Sequence, residues 1–164
     1  MRGRWHRKML AFGLAVELIA LPAAATDDDD TQAFFARFQE LERTLNPDIA
    51  DLYSDSAKVH GEFVYENGSF REFDWNGATY KFQLRLQATA AAQYQSDRGI
   101  LYSNVRYERF EDGFRIYAER YEADSCFANK NWYLVVRPDS EGNLRIVEEF
   151  SLKWDGPSRC GWHD

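Results

Sequence analysis

Strand-like segments fill the chain after Gly99, and they constrain its fold more than any other feature. The segments contain many aromatic and β-branched residues, and the breaks between them are rich in turn residues such as Gly, Asp, Asn and Pro. Four successive long strands predict an antiparallel sheet. The strands are predicted at 100–110, 114–123, 132–137 and 144–154.

Helical patterns come before this sheet. Five apolar side chains between Phe34 and Leu45 recur at helical spacing, which predicts an amphipathic helix over 31–45 that ends before Pro47. A short second helix is predicted at 48–53. The segment 78–94 alternates like a strand at its start, but its later alanines and glutamines favour a third helix.

A β-hairpin is predicted between the second and third helices. Its strands cover 58–65 and 70–75, and Asn67-Gly68 forms the turn between them. Helices and a hairpin followed by a long antiparallel sheet are typical of the α+β class.

The first 25 residues have the order of a secretory signal peptide. Four basic residues occur within the first eight, an apolar run of about 13 residues follows, and small residues end the segment at Ala25. A helix needs roughly 20 residues to cross a bilayer, so we expect cleavage near Ala25 and no stable membrane insertion. The mature protein is then periplasmic or secreted.

Cleavage there would leave a strongly acidic protein. It removes four basic residues and one acidic residue, which lowers the formal net charge from −7 to −10. Such a chain repels nucleic acid, so we expect no nucleic-acid partner. We interpret residues 26–30, with the aspartates Asp27–Asp30, as an acidic leader before one domain at 31–164.

Both cysteines, Cys126 and Cys160, lie in the mature part, and an oxidising compartment favours a disulfide between them. The bond would close a loop of about 35 residues, worth roughly 3 to 4 kcal/mol in the chain-entropy model. Two separate buried thiols are the alternative. A redox-active pair is disfavoured because the chain has no C-x-x-C motif.

Three segments together resemble the nuclear transport factor 2-like superfamily, which includes SnoaL-like and ketosteroid isomerase-like proteins. They are the helix at 31–45, the segment 51–60, and residues 132–136 with 142–149. The resemblance implies a cone-shaped barrel, in which a curved, mostly antiparallel sheet wraps around three helices. It also implies a pocket at the open end and frequent homodimers through the sheet.

Two positions depart from the isomerases of that superfamily. Their general base is a carboxylate just after the segment 51–60, where Gly61 stands here, and their first helix carries a tyrosine where this chain has phenylalanines such as Phe38. Both differences count against isomerase chemistry. A register shift of one or two residues would bring His60 or Glu62 into the site as the base.

The many aromatic residues favour a pocket for a small amphipathic molecule, although ordinary sheet packing also explains them. No cofactor or metal site is indicated, because no dinucleotide or phosphate motif and no histidine or cysteine at metal-ligand spacing occurs. The candidate pocket residues are Phe38, Tyr53, Tyr65, Tyr102, Tyr117, Arg120, Trp132 and Glu148.

Three functions remain open from the sequence. The leading hypothesis is an exported binding domain without catalytic activity, because fold alone does not choose a function and the isomerase residues are missing. The second is a lyase, isomerase or cyclase of the same fold with His60 or Glu62 as base. The third is an interaction domain of the inhibitor or immunity type.

Overall fold

A computed structural model describes residues 27–91 and 98–160. The predicted signal peptide and the last residues of the predicted third helix, 92–94, lie outside the described residues. The elements in chain order are α1 at Asp27–Arg43, a 3₁₀-helix at Pro47–Leu52, β1 at Tyr53–Tyr65, β2 at Phe70–Asn76, α2 at Gly77–Ala91, β3 at Ile100–Phe110, β4 at Gly113–Glu122, β5 at Phe127–Pro138 and β6 at Leu144–Asp155.

Helix α1 begins at Asp27, four residues before its predicted start at Thr31. The aspartates interpreted as a leader therefore form the first helical turn instead. Carboxylates are favourable there because they face the positive end of the helix dipole. After α1, the side chain of Asn46 accepts a 2.9 Å hydrogen bond from the backbone N–H of Asp48 and caps the 3₁₀-helix.

The six strands form one sheet in the order β2-β1-β6-β5-β4-β3. The pair β1 and β6 is parallel, and the other four pairs are antiparallel. Strand β1 starts at Tyr53, earlier than predicted. The prediction of an α+β fold with a curved, mostly antiparallel sheet and three helices is confirmed.

Irregularities in strand pairing bend this sheet around the helices. Pairing shifts by one residue in β3 between Ser103 and Arg106, and β5 and β6 each carry a similar irregularity. An extra residue in one strand bends that strand and increases its twist. The helices among the described residues consequently cover one face of the sheet, called the inner face here, and none of them lies on the other, outer face.

Aromatic packing joins α1 to the inner face. Phe35 and Phe38 are buried, and their rings lie 5.9 and 5.8 Å from the ring of Trp132 on β5. Large aromatic side chains remove more apolar surface from water than other residues do, so this contact is a main part of the core.

The predicted disulfide between Cys126 and Cys160 is confirmed. Their Cα atoms are 5.2 Å apart, and the bond ties the segment after β6 to the turn between β4 and β5. The ring of Trp154 also stacks 5.9 Å from that of Phe127 beside this link. Among residues 27–91 and 98–160, no helix is long and apolar enough to span a membrane.

Candidate functional site

A cavity of about 210 Å³ lies between α2, the 3₁₀-helix and the inner face of β1 and β6. Exposed Gln87 is one of its lining residues, so the cavity reaches the protein surface. Its walls combine aromatic rings with charged groups, which suits an amphipathic ligand. The lining includes Tyr53, Phe63, Tyr80, Ala88, Arg120, Glu149 and Lys153.

A buried charge network forms one end of the cavity. The guanidinium of Arg120 on β4, which is 6% exposed, donates to Glu42 on α1 at 2.9 Å and also to Glu122. The hydroxyl of Tyr102 donates a second hydrogen bond to Glu42. One buried cation thus holds two carboxylates, and α1 is fixed against β3 and β4.

The network shifts the pKa values of Arg120 and Glu122. Burial lowers the pKa of Arg120, but Glu42 and the other anionic neighbours outweigh this effect and raise it well above the usual range. Burial likewise raises the pKa of Glu122, and the charge of Arg120 outweighs it, so the net pKa is lowered. Both groups therefore stay ionised at neutral pH.

Glu149 on β6 is a second buried carboxyl group in the cavity wall. It accepts hydrogen bonds from the hydroxyl of Tyr53 at 2.5 Å and from the indole N–H of Trp132 at 3.3 Å. Burial raises the pKa of Glu149, although the nearby cation of Lys153 and the hydrogen bond from Tyr53 oppose the change. Glu149 therefore gives up its proton less readily than an ordinary glutamate does.

Lys153 lies two residues further along β6 than Ser151, on the same inner face. Its amine lies 5.1 to 5.3 Å from the ring centroids of Phe73, Trp75 and Tyr80. Burial lowers the pKa of Lys153, against the attraction of Glu149. The cavity thus contains a carboxyl group with a raised pKa, that of Glu149, and an amine with a lowered pKa, that of Lys153.

Gly61 occupies the position at which the resemblance implied a catalytic carboxylate. It is buried on the inner face and paired with Ser151 of β6. A Cβ atom at Gly61 would lie 1.8 Å from the carbonyl oxygen of Ser151, far inside van der Waals contact. Any side chain at this position must therefore push β1 and β6 apart.

The predicted pocket residues divide into groups. Tyr53 and Arg120 line the cavity. Phe38, Tyr102 and Trp132 lie behind its wall, where Tyr102 and Trp132 donate to the cavity carboxylates of Glu42 and Glu149. The remaining three, Tyr65, Tyr117 and Glu148, are not among the lining residues, and Tyr65 lies at the last position of β1.

His60, Tyr117 and Glu148 lie on the outer face of the sheet. Glu148 accepts a hydrogen bond from the hydroxyl of Tyr133 at 2.6 Å and lies 3.2 Å from Nε2 of His60. Tyr133 packs against Tyr117 with their ring centroids 6.0 Å apart. This cluster is separated from the cavity by the sheet itself.

The side chain of Glu62 also lies on the outer face, because Glu62 follows the inward-facing Gly61 in a regular strand. It borders an open depression of about 490 Å³ near edge strand β2, together with His60 and Phe150. Both sequence candidates for a general base thus belong to a surface depression on the other side of the sheet from the enclosed cavity.

Four cavity residues are not among the pocket residues selected from the sequence: Glu42, Tyr80, Glu149 and Lys153. Glu42 follows Phe38 by four positions and precedes Leu45 by three, which places it on the same side as the apolar residues of the helix. That spacing was the available signal. The inward direction of Glu149 and Lys153 depends on a bulge that the sequence does not mark.

No family model matches the chain, and no curated protein does. Solved structures do match. A nuclear transport factor 2-like protein of unknown function from Pseudomonas putida is 9% identical, with a TM-score of 0.51 over 74% of this chain and 82% of that one. A ketosteroid isomerase candidate from Shewanella frigidimarina is 13% identical, with a TM-score of 0.50 over 76% and 96%.

A third similar structure belongs to a protein with a different description. It is a candidate association domain of calcium/calmodulin-dependent protein kinase type II from Thiobacillus denitrificans, 12% identical, with a TM-score of 0.50 over 76% of this chain and 94% of that one. The chain therefore has the nuclear transport factor 2-like fold. Sequence identities this low support a shared fold and no further conclusion.

Proposed function

We propose that this chain, with its nuclear transport factor 2-like fold, is an exported domain that binds a small amphipathic molecule without turning it over. The cavity beneath α2 is the proposed ligand site. The observation that carries the proposal is the polar wall of this cavity, where Arg120, Glu42, Glu122 and Glu149 are held in fixed positions by one another and by tyrosines.

A wall of buried charged groups is energetically unfavourable if its only role is to form a core. Taking charges out of water is unfavourable, and well-packed apolar residues are often as stable or more stable in their place. A ligand site has another use for fixed charges, because a small number of placed polar groups gives orientation and specificity. The aromatic rings of Tyr53, Phe63 and Tyr80 supply the apolar part of the same wall.

Two observations support export. The first 25 residues have the pattern of a signal peptide, and the Cys126–Cys160 disulfide is of a kind that persists in oxidising compartments.

The absence of turnover rests on Gly61. This residue leaves no room for the carboxylate that the isomerase resemblance implied, and His60 and Glu62 cannot reach a molecule in the cavity from the outer face. A lyase or isomerase that uses either residue as base would need its substrate in the surface depression instead. That depression is more open than the cavity and has fewer walls to exclude water.

We also propose that the outer face of the sheet packs against a second copy of this chain. Half-buried aromatic side chains accumulate there, and the rings of Tyr133 and Phe150 stack with centroids 5.7 Å apart. Aromatic residues are enriched at the cores of protein interfaces.

Native mass spectrometry of the protein, purified after export from a bacterial host, tests these proposals together. We expect a mature chain that begins near Thr26, a dimer, and a small-molecule mass that is present under native conditions and absent after denaturation. A chain that retains residues 1–25 contradicts export. A monomer contradicts the sheet interface, and a chain with no retained mass that also binds nothing from a metabolite extract contradicts the ligand site.

A further inference from the structure

We infer that Lys153 is a nucleophile that captures small aldehydes or ketones in the cavity as a reversible imine. This inference rests on the proposed function, since it names the chemical class of ligand for the same cavity. It adds a covalent step that binding alone does not require.

The first argument is the position of the Lys153 amine. It lines the cavity, and no hydrogen bond or ion pair joins it to any residue within 27–91 and 98–160. The other mature lysines are placed differently: Lys81 forms a 2.7 Å ion pair with Asp55, while Lys58 and Lys130 are exposed. Lys153 is thus the lysine whose nitrogen faces enclosed space.

The second argument is how that nitrogen is held. The rings of Phe73, Trp75 and Tyr80 surround it at 5.1 to 5.3 Å from their centroids. These contacts fix the end of a flexible side chain but occupy none of its hydrogen-bonding capacity. Burial beside these rings lowers the pKa of Lys153. A lysine desolvated in this way is the activated form found in imine-forming sites.

The third argument is a proton donor in the same cavity. Glu149 also projects inward from β6, and burial raises the pKa of its carboxyl group. A raised pKa increases the fraction of Glu149 that carries a proton, and a protonated carboxyl group can donate to a leaving hydroxyl. Tyr53 and Trp132 hold Glu149 in place by donating to its two oxygens.

The step balances without an oxidant or a reductant. The neutral amine attacks the carbonyl carbon, and the electron pair of the C=O π bond moves to oxygen, which takes up the proton lost from nitrogen. The resulting carbinolamine loses its hydroxyl group as water after Glu149 protonates it, and the nitrogen lone pair forms the C=N bond. The products are a protonated imine, one water molecule and the carboxylate of Glu149, and attack of water on the imine reverses the reaction.

Reductive trapping tests this inference on the folded mature protein. Benzaldehyde is the probe, sodium cyanoborohydride reduces any imine to a stable amine, and peptide mapping locates the adduct. We expect one adduct at Lys153, formed roughly tenfold faster than at any exposed lysine, because a desolvated amine is deprotonated more often. Equal or slower labelling of Lys153 overturns the inference.

Two variants provide the matched comparison. Lys153→Met should lose the fast adduct, while Lys130→Met, the same change at an exposed position of β5, should keep it. If Lys153→Met does not fold, the adduct map of the unmodified protein still decides the matter. A retained non-covalent ligand with unlabelled Lys153 overturns the imine but leaves the proposed function intact. Fast labelling of Lys153 in a protein that retains no cavity ligand supports the imine and counts against the binding function.

Discussion

Arg120→Leu is expected to lower the free energy of unfolding by about 3 to 5 kcal/mol, because it removes one partner from a buried charge network. Glu42 and Glu122 would then remain in the interior without the cation that both now contact. Urea denaturation followed by fluorescence measures the loss. Arg85→Leu is the matched control, since it breaks an exposed ion pair with Asp51 and should cost less than about 1 kcal/mol.

The difference in unfolding free energy between the parent protein and Arg120→Leu should depend on pH, and the sign of this dependence follows from Glu122. Arg120 holds the pKa of Glu122 below its ordinary value of 4.5, so the stabilisation is present above that pH and is lost as the pH falls through the folded-state pKa. In Arg120→Leu, burial acts on Glu122 without this opposing charge. The variant should thus approach the parent protein in stability below pH 4.5. A constant difference from pH 7 to pH 3 contradicts the network.

Gly61→Asp is expected to have the largest effect, on the order of 5 kcal/mol or complete loss of the folded state. The new Cβ would meet the carbonyl oxygen of Ser151 at 1.8 Å, and the carboxylate would lie beside the buried ring of Phe73. The prediction is measured by thermal unfolding. Gly61→Ala separates the two causes, because it keeps the clash without the charge and should cost about 3 kcal/mol.

Gly68→Ala is the control for this series. Gly68 lies in the turn between β1 and β2 with φ +78° and with nothing within 4 Å of an added Cβ, so only the backbone cost of about 1 to 2 kcal/mol applies. If Gly61→Asp were as stable as the parent protein and catalysed isomerisation, the close approach of Gly61 to Ser151 described here would be wrong. The carboxylate position would then be open to catalysis in this chain.

Much of the fold was predictable because its signals are local. Strand-like residues between turn residues predicted the bounds of β3 at 100–110, helical spacing predicted α1, and two cysteines in a chain expected to be exported predicted their bond. Each of these inferences uses residues that act through their own element or through one covalent link.

The site was harder to predict because it depends on the register between strands. Regular alternation in β6 would put Ile146 and Glu148 on one face, and Glu148 is the glutamate that the sequence analysis selected for the pocket. Pairing with β5 skips one residue there, so Val147 is the extra residue of a bulge and Glu149 follows Ile146 on the inner face. A single added residue thus reverses the direction of every later side chain in the strand, including Lys153.

The most direct test of the ligand site compares two changes of the same kind on α2. Ala88 is buried and lines the cavity, whereas Ala90 is exposed on the same helix. Ala88→Phe fills the cavity with a ring, and Ala90→Phe leaves it open. Native mass spectrometry of both variants, each shown to be folded by circular dichroism, should find the small-molecule mass retained by Ala90→Phe and lost from Ala88→Phe. A folded Ala88→Phe variant that retains the molecule to the same extent contradicts the assignment of this cavity as the binding site.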